Sequence, residues 1–243
     1  MTSNIRSLHV RNAIGLMGLA MLMSIALADT GTAQRYDRRA PEAGVFDYYT
    51  LVLSWSPTFC AEEGNRRRSR RQCDPRGGRP YAFVLHGLWP QYERGFPNNC
   101  RIGRRPFVPD RVIDDMIDIM PARGLIIHQY RKHGTCSGLR PAPYFALARR
   151  LFDSIKIPQR FIAPRKPQTV SPQDVIEEFI AANRGLRRDM MTVSCRRRSG
   201  NRMREVKICF TPDGQLRACG ANEGPRRMCR ADRMFVPPVR VRR

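Results

Sequence analysis

Residues 81–90 read Tyr-Ala-Phe-Val-Leu-His-Gly-Leu-Trp-Pro. The first five are aromatic or apolar and predict a short strand, and the glycine and proline that follow predict a turn. The strand would therefore present His86 where the chain changes direction. Helices and strands on both sides of this stretch follow no regular alternation, which favours an α+β fold over a doubly wound parallel sheet.

Periodicity of apolar residues predicts the other elements. The helix that begins at Ser171 has the clearest start, because Pro172 and Asp174 complete a capping signal, and Gly185 indicates its end. No internal repeat, dinucleotide fingerprint or phosphate-binding loop occurs. The remaining predicted elements are strands over 48–55, 190–195, 206–210 and 215–219, and helices over 110–120, 125–132 and 143–155.

The N-terminus has the composition of a secretory signal. Two arginines precede an apolar stretch from Ala13 to Ala28, and small residues follow it. We expect cleavage after Ala28, with a site after Ala33 as the alternative. An uncleaved anchor is the other interpretation, although the apolar run is shorter than the ~20 residues that span a bilayer. The predicted organisation is a signal peptide over 1–28, a loose lead over 29–44, one domain over 45–230 and a basic tail over 231–243.

The leader resembles bacterial signals, so we expect an exported, periplasmic or secreted monomer without stable membrane insertion. All eight cysteines lie downstream of the leader, and an even number in an exported chain predicts disulfides. A zinc site is the alternative, but no Cys-x-x-Cys pair occurs. Spacing alone does not assign the pairs. The cysteines are Cys60, Cys73, Cys100, Cys136, Cys195, Cys209, Cys219 and Cys229.

The chain of 243 residues carries a formal net charge of +23. Such a charge favours polyanionic partners, namely nucleic acid, anionic lipid or acidic glycans. A solvated surface rich in arginine is the alternative explanation. Charge therefore supports a polyanion-directed function without identifying the polyanion.

Three of the four histidines fall in two short motifs, and the fourth, His9, lies in the leader. Two convergent imidazoles can serve as proton acceptor and proton donor in one reaction. On the predicted helix, His128 and Lys132 are four residues apart, as are Gln129 and His133, so all four share one broad face. A lysine and a third imidazole could stabilise a phosphoryl group.

This set of groups suits metal-free cleavage of RNA, in which the 2′-hydroxyl supplies the nucleophile. Each histidine taken singly could instead be a core or surface residue. Serine hydrolase chemistry is less consistent with the chain, because no Gly-x-Ser-x-Gly elbow occurs.

The two motifs resemble the active-site segments of the ribonuclease T2 family. They are Leu-His-Gly-Leu-Trp-Pro at 85–90 and His-Gln-Tyr-Arg-Lys-His-Gly-Thr-Cys at 128–136, and they occur in the family's order. The segment Leu-Ser-Trp-Ser-Pro-Thr-Phe-Cys at 53–60 is similar to the family's first strand and following cysteine. The resemblance implies a disulfide-stabilised α+β domain with a central, mainly antiparallel sheet flanked by helices.

The resemblance also implies an endoribonuclease that cleaves single-stranded RNA with low base specificity, without a cofactor or metal. His133 would be the general base and His86 the general acid. Lys132 would stabilise the pentacoordinate phosphorane, and His128 would hold phosphate. Trp89 would contact a base, with a core role as the alternative.

The family's pattern implies disulfides Cys100–Cys136, Cys195–Cys229 and Cys209–Cys219, which leaves Cys60–Cys73. The chain departs from the family at Gln129, where glutamate is usual. An amide cannot hold an imidazolium, so we expect a working enzyme with altered rate or pH dependence. The rival functions are an exported cationic protein that binds RNA or anionic membranes with impaired catalysis, and a metal-dependent nuclease.

Overall fold

Twelve helices and strands are defined in the computed structural model, which describes residues 41–63, 70–74, 79–103, 105–196, 200–224 and 226–239. The expected signal peptide and most of the expected lead lie outside the described residues. None of the described helices is long and apolar enough to cross a membrane. The elements are β1 (Tyr48–Trp55), α1 (Ser56–Glu63), α2 (Arg70–Cys73), β2 (Phe83–Gln91), α3 (Asp110–Asp114), α4 (Arg123–Lys132), α5 (Pro141–Ser154), β3 (Gln168–Val170), α6 (Pro172–Ala182), β4 (Met191–Arg196), β5 (Arg202–Phe210) and β6 (Met234–Val236).

The six strands of the described residues form one sheet in the order β2-β1-β5-β6-β3, and β4 pairs with β5 outside this path. Every strand pair is antiparallel except β5 and β6, which meet in parallel where Arg202 faces Phe235. This architecture confirms the predicted α+β fold with a mainly antiparallel sheet.

Strand β1 lies inside the sheet and is the most buried element of the core. All of its residues are buried except Ser54, which is half-buried. The Trp55 ring packs edge-on against Phe83 at 4.9 Å between ring centroids, and Phe161 and Phe179 complete the aromatic cluster. Burying an apolar side chain of this size contributes about 1.5–3 kcal/mol, so β1 is a rigid frame for the strands on either side.

Strand β2 is longer than predicted, because the turn expected after His86 is absent. The strand continues to Gln91 and pairs with β1 throughout. Its register shifts once, since Leu85 pairs with Leu53 whereas Gly87 pairs with Val52. His86 is thus the extra residue of a β-bulge, a feature that redirects a side chain without ending the strand. The proline near the end of β2 is tolerated because β2 is an edge strand.

The predicted helices agree with the structure except for α3, whereas α1 and α2 were not predicted from the sequence. The capping box of α6 is confirmed, since Ser171 Oγ accepts a hydrogen bond from the Asp174 backbone at 3.0 Å and the Asp174 carboxylate accepts one from the Ser171 backbone at 2.9 Å. Helix α3 ends at Asp114 rather than near residue 120. The carbonyl of Ile119, beyond the end of α3, accepts a hydrogen bond from the Leu85 N–H at 2.9 Å and thereby connects this segment to β2.

Two C-terminal expectations were wrong. Residues 215–219 do not form a strand, because only Leu216 bridges to Phe210, and the chain then leaves the sheet. Residues 231–239 do not form a tail, because Met234 and Val236 are fully buried in β6 and pair with β3. In this segment the alternating apolar side chains pack into the core, and the basic residues around them do not prevent a strand. Residues 240–243 lie outside the described residues.

All four expected disulfides are present, as Cys60–Cys73, Cys100–Cys136, Cys195–Cys229 and Cys209–Cys219. The Cys100–Cys136 bond fastens the segment before α3 to the turn that follows α4. Because that turn contains the last residues of the second histidine motif, the disulfide restrains the region expected to carry the chemistry.

Candidate active site

Helix α4 presents the second motif. His128 and Lys132 lie on adjacent turns of α4, and His133 is its C-terminal cap, with its N–H bonded to the Gln129 carbonyl at 2.9 Å. Gly134 was expected to end the helix, but it begins a short 3-10 turn, Gly134–Ser137. Position 134 requires a glycine, since a Cβ there would overlap the Tyr130 ring.

The bulge in β2 presents the first motif and turns His86 toward β5. The Nδ1 atom of His86 lies 3.0 Å from Glu205 Oε1. This contact was not predicted from the sequence. A carboxylate at Nδ1 fixes the imidazole orientation and leaves Nε2 for a substrate.

Glu205 is a buried carboxylate, with 7% of its surface exposed. Burial alone would raise its pKa, but the hydrogen bond with His86 and the charges of His86, Lys207 and Arg204 outweigh burial and lower the pKa. Glu205 is therefore ionised at neutral pH. This charged carboxylate is the hydrogen-bond partner of the His86 ring.

His133 has the opposite surroundings. Burial lowers the pKa of His133 to about 3, and the charges of Lys132, His86 and His128 act in the same direction. Its Nδ1 is buried and has no hydrogen-bond partner among the described residues. His133 is thus neutral at pH 7, and Nε2 is the nitrogen that remains for proton transfer.

Trp89 joins the two motifs. Its indole stacks on the His133 ring with centroids 5.0 Å apart and an interplanar angle of 22°. Its Nε1–H donates to Gln129 Oε1 at 2.7 Å. Gly87 permits this arrangement, because a Cβ there would overlap both Gln129 Oε1 and the indole nitrogen. Contact of Trp89 with an RNA base stays a prediction.

Lys207 is a second site residue that sequence reasoning missed. Its Nζ lies 5.2 Å from the Trp89 ring centroid and 4.0 Å from Glu205 Oε2. Positions 205 and 207 of a strand point to the same face, but the predicted strand began at residue 206, whereas the observed strand begins at Arg202. What the sequence could not show is that this face opposes His86.

The expected site residues converge. His128 lies close enough to Lys132 and His86 for their charges, together with burial, to lower its pKa. Gln129 is buried, with 2% of its surface exposed, and its side-chain oxygen contacts Trp89. Among the described residues, no group of three or more His, Cys, Asp or Glu side chains could hold a metal ion.

The chain matches known proteins over most of its length. The model of the Ribonuclease T2 family matches residues 46–219. A ribonuclease of Aeromonas hydrophila is 34% identical over 185 residues, which cover 71% of this chain and 75% of that protein. Ribonuclease I of Escherichia coli K12 is 28% identical over 197 residues, which cover 66% of this chain and 74% of that protein.

Solved structures show the same fold. Ribonuclease MC1 from the seeds of bitter gourd superimposes with a TM-score of 0.57 and 24% identity, over 78% of this chain and 99% of that one. The RNase-related protein from Calystegia sepium superimposes with a TM-score of 0.60 and 19% identity, over 80% of this chain and 98% of that one. Together with the motif geometry, the family match shows that this chain belongs to the ribonuclease T2 family.

Proposed function

We propose that this protein is an endoribonuclease that cleaves single-stranded RNA with low base specificity, with His133 as general base and His86 as general acid. The family and its ribonuclease relatives support RNA cleavage. The observation that carries the two roles is the contrast between the imidazoles. His86 is bonded to an ionised carboxylate, whereas His133 is buried among positive charges.

Two imidazoles in such contrasting surroundings are suited to opposite roles in proton transfer. Neutral His133 accepts the proton of the 2′-hydroxyl, and the 2′-oxygen attacks phosphorus. Protonated His86 donates its proton to the 5′-oxygen as the P–O5′ bond breaks. The products are a 2′,3′-cyclic phosphate and a free 5′-hydroxyl.

Hydrolysis of the cyclic phosphate reverses the roles. His86, now neutral, takes a proton from water as the water oxygen attacks phosphorus. Protonated His133 donates a proton to the 2′-oxygen as the P–O2′ bond breaks, which leaves a 3′-phosphate. Lys132 stabilises the phosphorane through its ammonium charge. His128 holds a phosphate oxygen through a ring N–H, which a neutral imidazole retains.

Trp89 and Gln129 hold the proposed general base, His133, in place. The indole restrains the His133 ring by stacking, and its bond to Gln129 fixes the indole in turn. We further propose that the protein acts as an exported monomer. The four disulfides support export, because such bonds persist in oxidising compartments.

Two uridine substrates test the roles. Uridylyl-uridine has a poor leaving group that needs an acid, whereas uridine 3′-(p-nitrophenyl phosphate) releases a phenolate that does not. With EDTA present, His133→Ala should lose activity on both substrates, typically by ~10²- to 10⁴-fold. His86→Ala should lose a similar factor on uridylyl-uridine alone. End-group analysis should show a cyclic phosphate.

Equal cleavage rates for wild type and both variants would refute the proposal that this protein is a ribonuclease using these histidines. Abolition by EDTA would support the metal-dependent alternative. Retention of p-nitrophenyl turnover by His133→Ala, with its loss in His86→Ala, would reverse the assigned roles.

A further inference from the structure

A groove on the flank of α4 carries positive charge and is not part of the proposed catalytic machinery. Two adjoining cavities, of about 520 and 690 Å³, share Ile102 and Arg105 in their walls. We call them together the α4 groove. Phe107 and Arg140 line one cavity, and Arg131 lines the other.

The groove wall is cationic and lacks a compensating carboxylate. Four arginines line it, and no aspartate or glutamate does so among the described residues. Within that same part of the chain these four arginines form no salt bridge, whereas Arg149, Arg160 and Arg217 are each paired with a carboxylate. Their charge is therefore available to a polyanion. The four are Arg101, Arg105, Arg131 and Arg140.

The groove also offers an aromatic surface. Phe107 is 70% exposed, the highest value among the large apolar side chains of the described residues. An exposed aromatic ring between arginines is the pattern by which proteins bind unpaired nucleic acid, with bases on the ring and phosphates on the cations. The α4 groove therefore has both groups with which proteins bind single-stranded RNA.

The groove is attached to the candidate active site through the backbone. The Asn99 N–H donates to the Lys132 carbonyl at 2.8 Å, and the Cys100–Cys136 disulfide fastens the same segment. Arg131 directly precedes Lys132 on α4, and its Nε donates to the Pro106 carbonyl at 3.3 Å. The groove wall therefore begins one residue away from the proposed phosphate contact at Lys132.

We propose that the α4 groove binds the single-stranded RNA that flanks the cleaved phosphate. The proposal rests on the proposed function, because it assigns a further binding surface for the same substrate. The test variant is Arg105→Ser/Phe107→Ala/Arg140→Ser. The matched control is Ile162→Ala/Arg165→Ser/Lys166→Ser, which removes two positive charges and one exposed apolar side chain near β3, at the other edge of the sheet.

Binding is measured with a fluorescent 20-mer of 2′-O-methyluridine, which lacks the nucleophile and cannot be cleaved. Each phosphate contact to a single strand contributes about 0.7 to the slope of log K against log salt, so the groove variant should lower the slope by about 1.4. Loss of one stacking contact should weaken binding a further fivefold or so. The control variant, which loses the same number of positive charges, should retain the wild-type slope.

Cleavage separates this proposal from the proposed function. Uridylyl-uridine is too short to use the groove, so the groove variant should cleave it like wild type and lose efficiency only on long RNA. If no protein cleaves RNA, the proposed function fails while the binding slopes still decide the groove. Equal salt slopes and equal affinities for the two variants would overturn the proposal that the α4 groove binds RNA. Reduced binding to phosphatidylglycerol vesicles with unchanged oligonucleotide binding would also overturn it.

Discussion

Replacing Gln129 by glutamate should move the acidic limb of the pH–rate profile upward. In the wild type the pKa of His133 is about 3, because burial and neighbouring cations oppose its protonation. Gln129 and His133 contact the same indole, one at 2.7 Å through a hydrogen bond and the other by stacking at 5.0 Å. A carboxylate within about 4–6 Å of an imidazole raises its pKa by about 1–3 units.

The wild type should therefore keep a neutral general base down to about pH 3, whereas Gln129→Glu should lose activity between about pH 4 and 6. At neutral pH the variant should be faster, because a base whose pKa lies nearer the working pH transfers protons more effectively. The substitution is isosteric, so the indole N–H retains its acceptor.

The assay is kcat/KM for uridine 3′-(p-nitrophenyl phosphate) from pH 3 to 8, which reports the base without the acid. NMR titration of the His133 ring, assigned by its loss in His133→Ala, gives the same pKa independently. An acidic limb that does not move, in a variant whose His133 resonance does move, would refute the role of His133 as base. An unmoved resonance would refute the electrostatic argument.

Two further substitutions address the parts of the site that hold the imidazoles. Glu205→Gln should keep a neutral hydrogen bond to His86 but lose its charge, and reduce uridylyl-uridine cleavage about tenfold with little change on the p-nitrophenyl substrate; equal losses on both substrates would indicate general misfolding instead. Gly87→Ala should displace Trp89 from Gln129, lower the free energy of unfolding by about 1–3 kcal/mol in urea titration, and reduce activity on both substrates. Wild-type stability together with wild-type activity in Gly87→Ala would contradict the close packing described here.

The parts of the site that follow from local sequence were predictable. His128 and Lys132 are adjacent on α4 because four residues make about one helical turn, and the sequence states that spacing directly. Outside the site, the Ser171 capping box of α6 is equally local, since its two partners are three residues apart. Such patterns depend on few competing interactions, so the structure follows them.

The parts that depend on tertiary register were not predictable. Glycine and proline after His86 favour a turn locally, but pairing with β1 extends the strand to Gln91. Met234 and Val236 belong to a strand because this segment pairs with both β3 and β5. Glu205 is 119 residues from His86, and no local pattern links them.

The orientation of the proposed acid depends on three strands at once. Strand β1 separates β2 from β5, so the bond between His86 and Glu205 must cross it. Glu205 pairs with Ser54 of β1, and directly paired residues point to the same face of a sheet. Two strand spacings amount to about 9.6 Å, so the imidazole and the glutamate side chain must both extend over β1 to meet. Ser54 pairs with Glu205 on one side and with Val84 on the other, and His86 is the extra residue of the bulge two positions beyond Val84. The orientation of the proposed acid therefore depends on the register of the central sheet as well as on the motif that carries the histidine.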